Sequence, residues 1–189
     1  MFLFFDTETT GLPKDWQAPL DGSDNWPRLV QLAWLISDEN GKEVSGNNLI
    51  IKPEGFIIPD EASAVHGITT EQAEREGISL DEVLSQFGEA LTKTKVLVAH
   101  NIRFDEKIMG AEFIRKNIKS NLLDLRRICT MQESTNYCQI KNEFGYKWPK
   151  LIELHQKLFE EDFADAHDAL ADVKACARCF FELMKRGVI

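Results

Sequence analysis

The sequence predicts one α/β domain spanning residues 1–189. Three observations carry that prediction. Phe2–Phe5 is a continuous apolar run of the kind a buried strand uses. Strand-like segments follow it across short turns. The chain then closes on a long segment whose apolar residues repeat at the 3–4 spacing of a core helix.

The elements can be justified in order. Phe2–Phe5 runs directly into Asp6-Thr7-Glu8-Thr9-Thr10-Gly11. Residues 13–27 hold Pro13, Pro19, Gly22 and Pro27 and read as a long loop. Residues 28–37 form a second strand, Asn40-Gly41 supplies a hairpin turn, and residues 43–52 return as a third, so the sheet starts antiparallel. Thr69-x-x-Gln72 and Ser79-x-x-Glu82 have capping-box form. The second opens a helix with Leu80, Val83, Leu84, Phe87 and Leu91 on one face. Val96–Ala99 is a short buried strand, and Asn101 is placed to cap a helix carrying Phe104, Ile108, Met109, Phe113 and Ile114. A short apolar stretch surrounds Leu122 and Leu123, and Pro149 precedes a helix through Leu151, Leu154 and Leu158. In the last helix the stripe is Leu170, Val173, Ala177, Phe180, Phe181 and Met184, with Gly187 where a C-cap belongs.

Composition excludes several classes of function. The chain has 22 Lys and Arg against 31 Asp and Glu, a net charge of −9, with 43% hydrophobic and 28% charged residues. That is ordinary globular usage, and a chain of this length buries about 70% of its unfolded surface without staples. A balance of −9 repels a phosphate backbone at long range, so a nucleic-acid partner must be held locally, by cations or a small basic rim. Four cysteines are too few and too clustered for a secreted disulfide framework. Asp6 ends the first apolar run at once, no basic residue precedes it, and no run approaches the ~18 residues of a membrane span. A soluble, cytoplasmic protein with no membrane partner is expected.

The chemistry gathers at three places. Asp6 and Glu8 are alternate residues on a strand, so both carboxylates face the same space, at the carboxyl end where open α/β sheets bind ligands. A bare D-x-E is most often a solvated strand end. Asp105 falls in the first turns of a helix, where the dipole favours a carboxylate. Asp172 lies in the first turns of the last helix, with Asp168 as its N-cap. His167 sits on the approach segment, where proton transfer suits a histidine better than packing does. Taken singly, each has a bland explanation. Together they put four carboxylates beside core sequence, a density of negative charge that only cations neutralise. All-oxygen ligands favour Mg²⁺ or Mn²⁺ over zinc. Two such ions about 4 Å apart suit in-line phosphodiester displacement, and a neutral imidazole can take the proton from the attacking water.

The segments Asp6-Thr7-Glu8-Thr9-Thr10-Gly11, His100-Asn101-x-x-Phe104-Asp105 and His167-Asp168-Ala169-Leu170-x-Asp172 resemble, in order and spacing, the three motifs of the DEDDh 3′→5′ exonuclease family. Val65-His66-Gly67-Ile68-Thr69 resembles a segment of its proofreading branch, the epsilon subunits of bacterial DNA polymerase III. The resemblance implies a ribonuclease-H-like mixed five-stranded sheet flanked by helices. It implies two Mg²⁺ ions, replaceable by Mn²⁺, with Asp6, Glu8 and Asp172 as direct ligands, Asp105 on the second ion directly or through water, and His167 as general base. It also implies that Thr7, Thr9, Thr10, Gly11 and Leu12 line a pocket for the 3′-terminal nucleotide, completed by His66 and Phe104, although a His beside Gly at a helix end is as often a cap.

The activity so implied is release of nucleoside monophosphates from single-stranded or frayed DNA 3′ ends, in proofreading or repair, with a DNA polymerase catalytic subunit as a candidate partner. An RNA exonuclease of the same family and a non-catalytic polymerase accessory subunit remain as alternatives. Cys176-x-x-Cys179 reads as buried reduced thiols and residues 156–159 as helix core rather than a clamp-binding peptide. Lys147, Lys150, Arg126 and Arg127 are candidates for the basic rim. Trp16 is a candidate stacking residue, and Trp26, beside Pro27, reads as packing.

Overall fold

A computed structural model of the chain describes residues 1–22, 24–163 and 168–189. The first strand, β1 (Phe2–Thr9), outruns its apolar part and carries the acidic motif within it. Strands β2 (Leu29–Ser37) and β3 (Glu43–Ile50) pair antiparallel, while β4 (Val96–Ala99) and β5 (Arg126–Cys129) add in parallel, giving the order β3-β2-β1-β4-β5. The expected mixed five-stranded α/β sheet is therefore present, with β1 at its centre.

Helices α1 (Asp60–His66), α2 (Thr70–Glu76) and α3 (Leu80–Thr92) lie between β3 and β4, and α4 (Ile102–Arg115) between β4 and β5. After β5 come the short helices α5 (Thr130–Glu133) and α6 (Thr135–Cys138), then a two-stranded ribbon of β6 (Lys141–Asn142) and β7 (Gly145–Tyr146). Helices α7 (Leu151–Phe159) and α8 (Ala169–Lys185) complete the chain. Among the described residues no helix is long and apolar enough to cross a membrane.

Period-two alternation along β1 sorts the molecule into two layers. Leu3 and Phe5 join the core cluster that holds Leu84 and Phe87 of α3 and Ile108 of α4, with the Phe5 and Phe87 rings 5.6 Å apart. Phe4 faces the other way, into a cluster with Val173, Cys176 and Phe180 of α8, its ring 5.3 Å from that of Phe180. Continued two residues further, the same alternation points Asp6 and Glu8 toward the α8 side and Thr7 toward the α4 side.

Several local expectations need correction. The hairpin after β2 is not a two-residue Asn-Gly turn. The Asp38 carbonyl accepts from Gly41 N–H at 3.2 Å, only Gly41 has positive φ (82°), and Asp38 Oδ1 accepts from the Asn40 and Lys42 amides at 2.9 Å. An aspartate-capped turn ending on a left-handed glycine thus replaces it, with Phe181 packed where a Cβ on Gly41 would sit. Asn101 does not cap α4: it is left-handed (φ 72°) and makes no side-chain cap bond. Thr69 and Ser79 do accept from the Gln72 and Glu82 amides, but Gln72 turns to Glu76, so the reciprocal arm of the box is absent there. On α8 the buried seam runs through Cys176, Cys179 and Leu183, leaving Met184 39% exposed. The β6–β7 ribbon had no expectation at all.

Candidate active site

Asp6 and Glu8 leave β1 on the face covered by α8, and Asp172 comes from the first turn of that helix. Asp168 holds the helix start, accepting from Ala171 N–H at 3.0 Å, as the sequence suggested. Asp6, Glu8 and Asp172 each offer an oxygen, and those atoms all lie within 4.8 Å of one another. Three of the four expected carboxylates thus converge. The fourth, Asp105, is 3% exposed and approaches from the α4 side. Its Oδ1 accepts from Thr7 N–H at 3.0 Å and from the Thr7 hydroxyl at 2.8 Å. The strand pleat explains the division: Thr7 is the β1 residue that faces α4. His167 lies outside the described residues.

The electrostatics match this crowding. Burial, then the charges of Asp105, Asp172 and Glu8, push the Asp6 carboxyl well above the usual range. Burial, then Asp172 and Asp105, raise Glu8 to about 8. Burial also raises Asp105, to about 7, against the lowering effect of its Thr7 hydrogen bonds. An all-carboxylate set that resists ionising fits a hard divalent cation, which would stabilise the charged form of every member.

This has a measurable consequence for the metal-free protein. These acids hold their protons more tightly folded than unfolded, so unfolding releases protons and stability falls as pH rises. The fall begins near pH 4, where the unfolded carboxyls ionise, and runs at least to pH 8, where Glu8 ionises in the folded chain. In EDTA the melting temperature should decline across that window, and millimolar Mg²⁺ or Mn²⁺ at pH 8 should restore it. A Tm that rises from pH 5 to 8 in EDTA, or ignores both metals, would contradict this account.

Beside the carboxylates lies a cavity of about 460 Å³ lined by Thr7, Glu8, Thr9, Thr10, Gly11, Leu12, His66 and Phe104, the residues named from sequence. Pro59, Glu61, Ala62 and Val65 of the α1 segment line it too and were missed. Their signal was available: Ala62 is one helical turn before His66. Gly11 makes the turn over the cavity with φ 141°. The Thr9 hydroxyl donates to the Gly11 carbonyl at 2.7 Å and the Thr10 hydroxyl accepts from Arg28 N–H at 2.9 Å, so both brace the turn.

His66 is both cap and lining: its Nδ1 accepts from Ile68 N–H at 3.1 Å beyond the left-handed Gly67. Its Nε2 is buried beside the Thr9 backbone with no hydrogen-bond partner of good geometry among the described residues. With Nδ1 accepting, Nε2 carries the proton and faces the Thr9 backbone.

The remaining candidates divide cleanly. Trp16 lies with its ring 5.9 Å from that of Phe104, at the edge of the cavity. Trp26 is packed, its Nε1 donating to the Pro19 carbonyl at 2.9 Å. His100 is fixed, with Nδ1 3.0 Å from the Thr130 hydroxyl and Nε2 2.9 Å from the Pro149 carbonyl, and burial pushes its pKa down to about 4. All four cysteines are buried and free, and burial raises Cys179 to about 12. Leu158 is core, while Gln156 and Lys157 are exposed. Lys147 pairs with Glu153 at 2.6 Å and Arg127 pairs with Glu106.

A sequence model described as exonuclease (RNase_T) matches residues 3–180. The chain is 28% identical to exodeoxyribonuclease I of Buchnera aphidicola subsp. Schizaphis graminum, over 92% of this chain and 37% of that protein. It is 35% identical to a DNA polymerase III subunit epsilon-like protein of Rhodobacter capsulatus, over 97% of this chain and 23% of that protein. Among solved structures, E. coli exonuclease I in complex with a dT13 oligonucleotide superposes with a TM-score of 0.77 at 23% identity. That superposition covers 97% of this chain and 40% of that one. The chain therefore spans well under half the length of these relatives.

Proposed function

This chain belongs to the exonuclease family, and on that premise we propose that it hydrolyses DNA from the 3′ end, releasing nucleoside 5′-monophosphates. The observation that carries the proposal is the convergence of Asp6, Glu8 and Asp172 within 4.8 Å, next to a cavity of about 460 Å³. That volume falls within the range of small-molecule sites. The names of its relatives, an exodeoxyribonuclease and a polymerase epsilon-like protein, favour DNA over RNA and a proofreading or repair setting.

In this reading Asp6, Glu8 and Asp172 hold divalent cations, two Mg²⁺ with Mn²⁺ able to substitute, and Asp105 serves the second. When bound, such cations neutralise the phosphate and assist ionisation of the attacking water. The chain's own residues do the rest. Phe104 and Leu12 offer apolar surface to the terminal base, a contact that tolerates any sequence. Thr7 locks the Asp105 carboxylate with two hydrogen bonds, so it is oriented before substrate arrives. His66 lines the pocket and, through Nδ1 to Ile68 and Nε2 against the Thr9 backbone, ties the end of α1 to β1. His167, neutral, takes the proton of the water whose oxygen forms the new P–O bond, as the bond from phosphorus to the 3′-oxygen of the preceding nucleotide breaks. A polymerase catalytic subunit is the protein partner that the epsilon-like relative suggests.

The test is a gel assay on 5′-labelled single-stranded DNA and RNA of one sequence, with Mg²⁺ or EDTA, from pH 5 to 8. A metal-dependent ladder shortening from the DNA 3′ end is expected. Its rate should fall below about pH 6.5, the ordinary histidine range, as His167 protonates. A ladder on RNA alone would move the substrate to RNA. No ladder on either would favour an accessory subunit, and a rate flat across the pH range would remove His167 as base.

A further inference from the structure

The segment joining α6 to α7 turns three aromatic residues to solvent. Phe144, at the tip of the β6–β7 ribbon, is 94% exposed, Tyr146 44% and Trp148 60%. Lys150 is exposed as well, while Lys147 is half-buried and pairs with Glu153 of α7, and Pro149 is buried. A ribbon of only two short strands ordinarily gains stability by packing an apolar face on the core. Here the order is inverted, with rings outward and a lysine inward. Nothing in the packing of the described residues requires it.

The position of this ladder matters as much as its composition. The Pro149 carbonyl lies 2.9 Å from His100 Nε2, and His100 is the first residue after β4, five before Asp105. The ladder is thus anchored at the sheet end where the carboxylates gather. Its local charge also departs from the rest of the chain: residues 141–150 contain Lys141, Lys147 and Lys150 against Glu143 alone, within a protein of net charge −9. The carboxylate cluster repels phosphates, so a polynucleotide whose end enters it needs a grip elsewhere that does not depend on long-range attraction.

We propose that Phe144, Tyr146 and Trp148 form a stacking platform for the unpaired bases upstream of the 3′-terminal nucleotide, with Lys141 and Lys150 beside the backbone. Stacking on exposed rings of this kind accepts any sequence. The occupant is a single strand; a paired strand keeps its base faces covered. This inference rests on the reading of the site as an exonuclease.

The two readings separate by using two substrates. Affinity for 5′-fluorescein-labelled dT15 is measured by anisotropy in EDTA, and turnover of the p-nitrophenyl ester of thymidine 5′-monophosphate is measured with Mn²⁺. The ester fills the terminal pocket and has no upstream bases. Phe144→Ala, Tyr146→Ala and Trp148→Ala should each weaken dT15 binding roughly 5- to 100-fold, with ester turnover and melting temperature as in the unsubstituted chain. Unchanged dT15 affinity in all three would overturn the platform and leave the ladder to a protein partner. A parallel loss of dT15 affinity and ester turnover would also overturn it, since the substitutions would then act through the catalytic end. If the unsubstituted chain fails to turn over the ester, the exonuclease reading fails by itself, and the dT15 affinities still decide the platform.

Discussion

Asp6→Asn should lower metal-dependent phosphodiester hydrolysis about 10³-fold or more and, in EDTA at pH 8, raise the melting temperature. Both effects have one origin. Asp6 is half-buried beside Glu8 and Asp172 with the charge of Asp105 in reach, and its own charge is unfavourable until a cation joins it. Charge stabilisation by a bound cation is worth several kcal/mol in the transition state, and each 1.4 kcal/mol is a factor of ten in rate. An amide keeps the shape of the carboxyl and removes one of the repelling charges. A gain of 1 kcal/mol is worth about 2–4 °C in a domain of this size, so an increase of about 3–8 °C follows if part of the repulsion is relieved. Steady-state hydrolysis and thermal melts on one preparation test both. Retention of more than a tenth of the activity would remove Asp6 from the cation site. A lower Tm in EDTA would show that the carboxylate stabilises the fold in its own right.

Much of this site was legible because it depends on short-range periodicity. Asp6 and Glu8 share a face by the pleat alone, and Asp172 belongs to the first turn of a helix whose apolar repeat marks it as helical. The sheet was legible for the same reason, since its strands are apolar runs bounded by turn residues. What was not legible depends on which layer an element packs against. That Asp105 is held by Thr7 and reaches the other three carboxylates from the opposite side follows from α4 lying on the opposite face of β1 from α8. No spacing within either motif states that.

Local signals also failed where a tertiary demand overrode them. Asn101 has a capping side chain, but the chain leaves β4 through a left-handed residue there, and asparagine tolerates φ of 72° better than most residues. The last turn of α8 follows the contacts of Leu183 rather than the drift of the stripe to Met184. The ribbon at 141–146 was invisible for a plainer reason. Its strands are two residues long, and its aromatics point outward, so the usual alternation of a buried strand is reversed. A reading that searches for cores passes over a surface built to meet something else.

Glu112→Ala should have the opposite sign from Asp6→Asn: a loss of about 3–5 kcal/mol, or about 10 °C in Tm, which neither Mg²⁺ nor Mn²⁺ restores. Glu112 is fully buried on α4, seven residues beyond Asp105 and so about 10 Å along the same helix. Its Oε1 accepts from Arg28 Nε at 2.9 Å, from the Leu29 amide at 3.0 Å and pairs with Arg115 at 3.0 Å. Removing the carboxylate leaves two part-buried guanidinium groups without their shared counter-charge and the first amide of β2 without its acceptor. Arg28 N–H also donates to the Thr10 hydroxyl, so the pairing joins α4, the start of β2 and the turn over the nucleotide-sized cavity. Activity should therefore fall along with stability, whereas Asp6→Asn separates the two. A Tm within 2 °C of the unsubstituted chain, read by thermal melts in EDTA, would rule out this bracing role. Two acids on neighbouring elements thus carry opposite meanings. One is surrounded by carboxylates and destabilises the chain until a cation arrives; the other is surrounded by arginines and holds in place the helix that supplies Asp105.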